Sequence, residues 1–264
     1  MNKMILGRYV PGNSVIHRLD PRSKLLAMLG FIIIVFWANN PLTNALLLTF
    51  IALLVKLSGI RLSFFLDGLK PMIGLILFTT AFQLFFTSGG KDFFHWGIIH
   101  ISSYGISQAV LVFIRFILII FFSTILTLTT TPLSLSDAVE TLLKPLRLFK
   151  VPTHEIGLML SLSLRFVPTL MDDTTQIMNA QKARGVDFGE GNLVKKVKSI
   201  IPILIPLFAM SFKRADALAI AMEARGYQGG DGRTKFRQLQ WRVSDSIAIF
   251  VIVLLGIILN FAKS

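Results

Sequence analysis

Residues 105–131 read GISQAVLVFIRFILIIFFSTILTLTTT, and Arg115 carries the only charge in them. As a helix the stretch would be about 40 Å long, more than the ~30 Å hydrocarbon core of a bilayer requires. It has no polar face to turn to water, so its solvent is lipid. In lipid a helix pairs its backbone amides within its own segment. The chain therefore reads as an all-α membrane protein. A charge in mid-span is costly and turns toward protein. For Arg115 the sequence offers Gln83, Thr79 or Thr80 on the preceding apolar run. The structural reading is a buried polar clamp between helices, and the functional one is a gate on a substrate path. No acid lies inside the apolar runs to form a relay with it, which favours the clamp.

Composition agrees with a bilayer. Hydrophobic residues make up 53% and charged residues only 16%, where a soluble domain carries about a quarter charged. Further apolar runs lie at 25–38, 42–55, 71–88 and 247–262. The first two are short, about 21 Å each. They span if each gains a turn and Lys24 and Lys56 snorkel to the headgroups. Asn39-Asn40-Pro41 is the turn between them. Asp20 is a good N-cap and Pro21 suits the first helical position, so the first helix opens there. No apolar run precedes Leu25, so no cleavable signal is expected.

Lys and Arg number 27 against 14 acids. Such an excess suits nucleic acid, but here it falls between apolar blocks and reads as topology. Residues 1–24 hold Lys3, Arg8, Arg18, Arg22 and Lys24, the turn at 39–41 holds none, 56–70 hold Lys56, Arg61 and Lys70, and 89–104 hold only Lys91. Residues 132–246 hold sixteen, which places that segment in the cytoplasm. The pattern predicts five crossings, with the N-terminus inside and the C-terminus outside. The runs 156–170 and 200–212 are not read as spans. Crossing twice would put Lys182, Arg184, Lys195, Lys196 and Lys198 outside, and Arg165 and Pro168 interrupt one run while Pro202 and Pro206 interrupt the other. The expected organisation is a membrane domain over 1–131, a cytoplasmic domain of about three long helices over 132–242, and a last span over 243–264. The three helices are expected at 135–149, 155–183 with a bend at Pro168, and 202–224.

Two of those helices end on the same tripeptide, Ala183-Arg184-Gly185 and Ala224-Arg225-Gly226. Glycine after the arginine suits the left-handed residue that ends a helix, and a cation suits the negative end of its dipole. Capping alone accounts for one such site. Two matched ones on a face that must meet soluble partners point to a pair of carboxylate-binding arginines.

Reactive constellations are missing. There is no nucleotide-binding loop, no metal-ligand spacing, and no Ser, His and Asp set suited to catalysis. His17 and His154 read as isolated, and His95 and His100 as residues of a short outer loop. Asp172-Asp173 reads as a solvated pair. The absence of cysteine excludes disulfides and thiolate metal sites. No cofactor, no catalytic residue and no nucleic-acid partner is expected.

Leu19-Asp20-Pro21-Arg22-Ser23-Lys24-Leu25 resembles the N-terminal signature of the transmembrane T component of energy-coupling factor (ECF) transporters. Thr129-Thr130-Thr131-Pro132 with Asp137-Ala138, Leu142-Leu143 and Pro145-Leu146 resembles the family's next segment, as does Leu162-Ser163-Leu164-Arg165-Phe166-Val167-Pro168. The paired tripeptides are its most specific mark. The resemblance implies a non-catalytic scaffold in the bacterial cell membrane that joins two ATP-binding-cassette ATPases to one small substrate-capturing S component. The two tripeptides would sit in grooves of the ATPases, and the cargo would be a vitamin or a transition-metal ion. The rival readings are an intramembrane enzyme, which needs acids or histidines inside the spans, and a basic lipid-binding protein, which predicts scattered patches rather than matched tripeptides.

Overall fold

The computed structural model describes residues 9–87, 89, 92–96, 99–149, 152–186, 188, 193–229 and 239–262. Its helices are α1 (Val15–Arg18), α2 (Pro21–Trp37), α3 (Pro41–Ser58), α4 (Leu62–Leu69), α5 (Ile73–Phe86), α6 (Ser103–Thr129), α7 (Pro132–Leu143), α8 (Thr153–Ala183), α9 (Leu193–Ala224) and α10 (Val243–Ala262). Where a short outer loop was expected, β1 (Asp92–Trp96) and β2 (Ile99–Ser102) pair antiparallel, with His95 opposite His100 in register. The fold is that of an all-α membrane protein. Among the described residues four helical stretches are long and apolar enough to cross a bilayer: Pro41–Ser58, Leu62–Phe86, Ser103–Thr129 and Val243–Ala262. α2 has 17 residues, about 25 Å, at the short limit for a span. α8 and α9 are not among the four.

The stretch Leu62–Phe86 differs from the expected 71–88. It begins at Leu62, within the segment read as a charged loop, and passes Pro71 through one 3-10 turn, Lys70–Met72. Pro71 lacks the amide that would continue the α pattern. Packing holds the early part as helix, because Phe65 is fully buried against Phe121 of α6, with ring centroids 5.5 Å apart. Ser88 and Lys91 lie outside the described residues.

The chain divides into two compact units, residues up to Ala138 with Leu239 onward, and Val139–Gln238. In the first, α2 runs antiparallel to α6 and parallel to α10. Its core stacks Phe31 on Phe122 at 4.6 Å, with Leu47, Leu118 and Leu259 around them. α2 and α10 lie in register and approach closely where glycine meets isoleucine: Gly30 faces Ile252 and Gly256 faces Ile34.

The heads of α2 and α10 meet at one carboxylate. Asp245 is fully buried. Its Oδ1 accepts the Asp20 amide at 2.7 Å and the Ser23 hydroxyl at 2.9 Å, and its Oδ2 accepts the Arg242 amide at 2.8 Å. Asp20 caps α2 through the Arg22 amide at 2.8 Å and takes two further bonds, each 3.0 Å, from the Arg22 guanidinium. That guanidinium donates to the Leu239 carbonyl and lies over the Trp241 ring. One acid therefore satisfies amides at two helix N-termini, groups that have no intrahelical partner.

The helix expected over 135–149 is shorter. α7 starts at Pro132 and ends at Leu143, and Lys144–Phe149 is 3-10, because Pro145 cannot continue an α-helix. Glu140 packs on α8 at Gly157 and faces His154 Nδ1 at 3.7 Å, so His154 is not isolated as expected. α9 starts at Leu193 rather than near 202 and continues through Pro202 and Pro206, as α8 continues through Pro168. The side chains of Lys195 and Lys196 and the loop residues Gly230–Gly232 lie outside the described residues.

Asp245→Ala should leave the Asp20 and Arg242 amides without this acceptor, while the Ser23 hydroxyl keeps the Asp20 carbonyl at 2.8 Å, and should lower stability by roughly 1–3 kcal/mol. Asp245→Asn keeps one acceptor oxygen and should lose less. Thermal unfolding in detergent, followed by circular dichroism, reads the order wild type, Asn, Ala.

Candidate functional site

The ends of α8 and α9 have one geometry. After Ala183, Arg184 leaves the helix and Gly185 adopts φ +85°. The Gly185 amide donates to the Lys182 carbonyl and the Val186 amide to the Gln181 carbonyl, both at 3.0 Å. After Ala224 the pattern repeats. Gly226 has φ +72°, its amide donates to the Glu223 carbonyl at 2.8 Å, and the Tyr227 amide donates to the Met222 carbonyl at 3.0 Å. This pair of bonds is the Schellman motif, and it requires the left-handed residue that glycine adopts without a Cβ penalty. A Cβ at either glycine would meet nothing within 4 Å, so conformation rather than space selects glycine.

Both arginines are exposed, and among the described residues neither has an ion partner. The cap is made by backbone groups and does not draw on the guanidinium. Each end therefore offers a planar five-donor fork beside the negative pole of a helix, ready for a carboxylate from outside the chain. Arg165 and Pro168 are also exposed on α8.

Two other cations are spent within the first unit. Lys24 does not snorkel as expected but is buried. Its ammonium donates to the Thr129 carbonyl at 3.0 Å and to the hydroxyls of Thr129 and Thr130 at 3.4 and 3.3 Å. Lys56 is exposed. Arg115 meets none of Gln83, Thr79 and Thr80. Its Nη2 makes a long 3.5 Å bond to the Ala38 carbonyl, and its guanidinium lies 5.0 Å from the centre of the Phe36 ring. Thr79 donates within its own helix, to the Leu75 and Ile76 carbonyls. Lys24 on α2 thus serves the carbonyl end of α6, and Arg115 on α6 serves the carbonyl end of α2. The two pins are 14 residues apart on each helix (38 − 24 and 129 − 115), as an antiparallel pair in register requires.

Asp172 and Asp173 separate in the same way. Asp172 is exposed, whereas Asp173 accepts from Arg214 of α9 at 2.9 Å and is not the solvated residue expected. Asp245 is the residue that the sequence reading missed. Its one local signal is an acid in the first turn ahead of an apolar run.

A family model described as cobalt transport protein (CbiQ) matches residues 12–236. The whole chain is 75% identical to the energy-coupling factor transporter transmembrane protein EcfT of Streptococcus equi subsp. equi, covering 98% of that protein. It is 67% identical to EcfT of Streptococcus thermophilus and 48% identical to EcfT of Bacillus subtilis, over the full length of both chains in each case. The chain belongs to the EcfT/CbiQ family. It is thus a transmembrane component of an ECF transporter. The family match reaches from the head of α1 past the second tripeptide, so both arginine ends lie inside it, while Asp245 lies beyond it.

Gly185→Ala and Gly226→Ala should each cost about 1 kcal/mol at the cap, because L-residues disfavour the left-handed region. Asn at either position should cost less. Hydrogen exchange at the Val186 and Tyr227 amides should quicken in the Ala variants and stay closer to wild type in the Asn variants. Arg115→Ala leaves the buried Ala38 carbonyl without a donor and should lower the midpoint of thermal unfolding, by roughly 1–3 kcal/mol of stability.

Proposed function

We propose that the chain is the non-catalytic coupling and scaffold subunit of an ATP-driven importer in the bacterial cell membrane. In this reading it transmits movements of two ATP-binding-cassette ATPases to one small substrate-binding membrane subunit that carries a vitamin or a transition-metal ion. Hydrolysis belongs to the ATPases, and this chain needs no cofactor. The observation that carries the reading is the pair of identically capped, exposed arginines, Arg184 and Arg225, at the ends of two long helices, neither with an ion partner among the described residues. Each would enter a groove of one ATPase and meet a carboxylate there.

The domain expected over 132–242 is then the cytoplasmic coupling domain, which the excess of Lys and Arg in it supports. The N-terminus faces the cytoplasm and the last helix ends outside. Exposed apolar side chains on α9, among them Ile205, Phe208, Phe212 and Ile220, suit the membrane subunit as a partner. A cysteine at exposed Asp172, in a chain that has none of its own, should label from the cytoplasmic side only.

Truncating one member of a buried interfacial charge pair costs 2–5 kcal/mol or more. Arg184→Ala and Arg225→Ala should each weaken retention of one ATPase or reduce ATP-dependent uptake, with the fold intact, and the double variant should be worse. Arg→Lys should restore little, because an ammonium cannot reproduce a bidentate fork. Pull-down of both ATPases with an uptake assay reads this. Wild-type assembly and uptake in the double Ala variant would remove the reading.

A further inference from the structure

α8 and α9 correspond in length and in their ends under a shift of 41 residues. Their ends coincide (183 + 41 = 224), and their starts agree to one residue, Thr153 against Leu193. Both contain internal proline and both finish in the same cap. Two bonds give their relative direction. Asp173 Oδ2 accepts from Arg214 Nη2 at 2.9 Å, and Gln181 Nε2 donates to the Pro202 carbonyl at 3.4 Å. Going toward the C-terminus on α8 is going toward the N-terminus on α9, so the pair is antiparallel.

Under the same shift Asp173 and Arg214 are equivalent positions (173 + 41 = 214). In an antiparallel pair of equivalent helices, a bond between equivalent residues lies on the local two-fold axis. The ion pair is only partly solvated, with side-chain exposure of 12% for Asp173 and 29% for Arg214, and the guanidinium also lies over the Phe166 ring. From this axis each tripeptide arginine is 11 residues away (184 − 173 and 225 − 214), about 16 Å along its helix. The two arms are equal.

We infer that the Asp173–Arg214 ion pair is a positioning pin on a local two-fold axis, and that it fixes the span and the symmetric presentation of Arg184 and Arg225. Neither residue meets a partner subunit in this role. They set where the arginines stand, at most about 35 Å apart for straight antiparallel helices at ordinary packing distance. The role in transport rests on the reading of those arginines as ATPase contacts, whereas the geometry does not.

The test uses the full-length chain, with spin labels on cysteines at the equivalent exposed positions Lys182 and Glu223. Pulsed electron–electron distance measurement without ATPases should give one narrow distribution in the otherwise wild-type chain. Asp173→Asn, nearly isosteric, and Arg214→Gln should each broaden it at least about two-fold. The exchange of Asp173→Arg with Arg214→Asp should narrow it again. In the assembled transporter the single variants should still retain both ATPases and hydrolyse ATP, with uptake per ATP reduced several-fold and recovered by the exchange. An unchanged width in both single variants, or a width that the exchange fails to recover, overturns the pin. Loss of ATPase binding by the arginine variants is a separate measurement, so either reading can fail while the other stands.

Discussion

A helix that ends inside a protein or a bilayer leaves carbonyls that no neighbouring turn can serve, and this constraint organises the molecule. The chain answers it with cations. Lys24 serves the end of α6 and Arg115 serves the end of α2, each delivered by the other helix of the pair. A slip of one turn between α2 and α6 would break both pins at once, so register and end-capping are one property here. At the opposite poles the same need is met by an acid, with Asp245 accepting amides at the heads of α2 and α10. The signature Asp20-Pro21-Arg22-Ser23-Lys24 is then a working set: cap, first-turn proline, guanidinium brace, hydroxyl donor and buried ammonium.

Against that background Arg184 and Arg225 are distinguished by what they leave undone. Their helix ends are closed by glycine caps that use backbone amides alone. Among the described residues the side-chain charge has no ion partner, unlike the bonded ammonium of Lys24 or the guanidinium of Arg115. Lys24 and Arg115 are consumed at helix ends inside the membrane unit, whereas Arg184 and Arg225 are held out on long arms.

The sequence made local features legible and left most long-range ones hidden. The tripeptide ends were readable because a Schellman cap depends on a few consecutive residues and on one glycine conformation. The start of α2 was readable for the same reason. The first and third spans were harder. Proline at 71 suggested a boundary, but Phe65 packing against Phe121 holds helix ahead of it. The partner of Arg115 was misjudged because a polar side chain was sought, while the acceptor is a backbone carbonyl, which every residue carries and no sequence marks. Asp245 was invisible because its role depends on a residue 225 positions away. Asp173 read as solvated, although its distance to Arg214 equals the spacing of the tripeptides, an arithmetic signal that only the antiparallel packing of α8 and α9 makes meaningful.

The bond between the Asp20 amide and Asp245 also sets an order of events during synthesis. Its two residues leave the ribosome 225 positions apart, roughly 10–45 s at ordinary translation rates. Throughout that interval the head of α2 lacks its acceptor and the groove that receives α10 stands open to lipid. The early helices can insert, but they cannot complete their packing until the last one arrives. A nascent chain stalled before Asp245 is therefore an inserted but unfinished protein, exposed to membrane quality control for as long as the stall lasts.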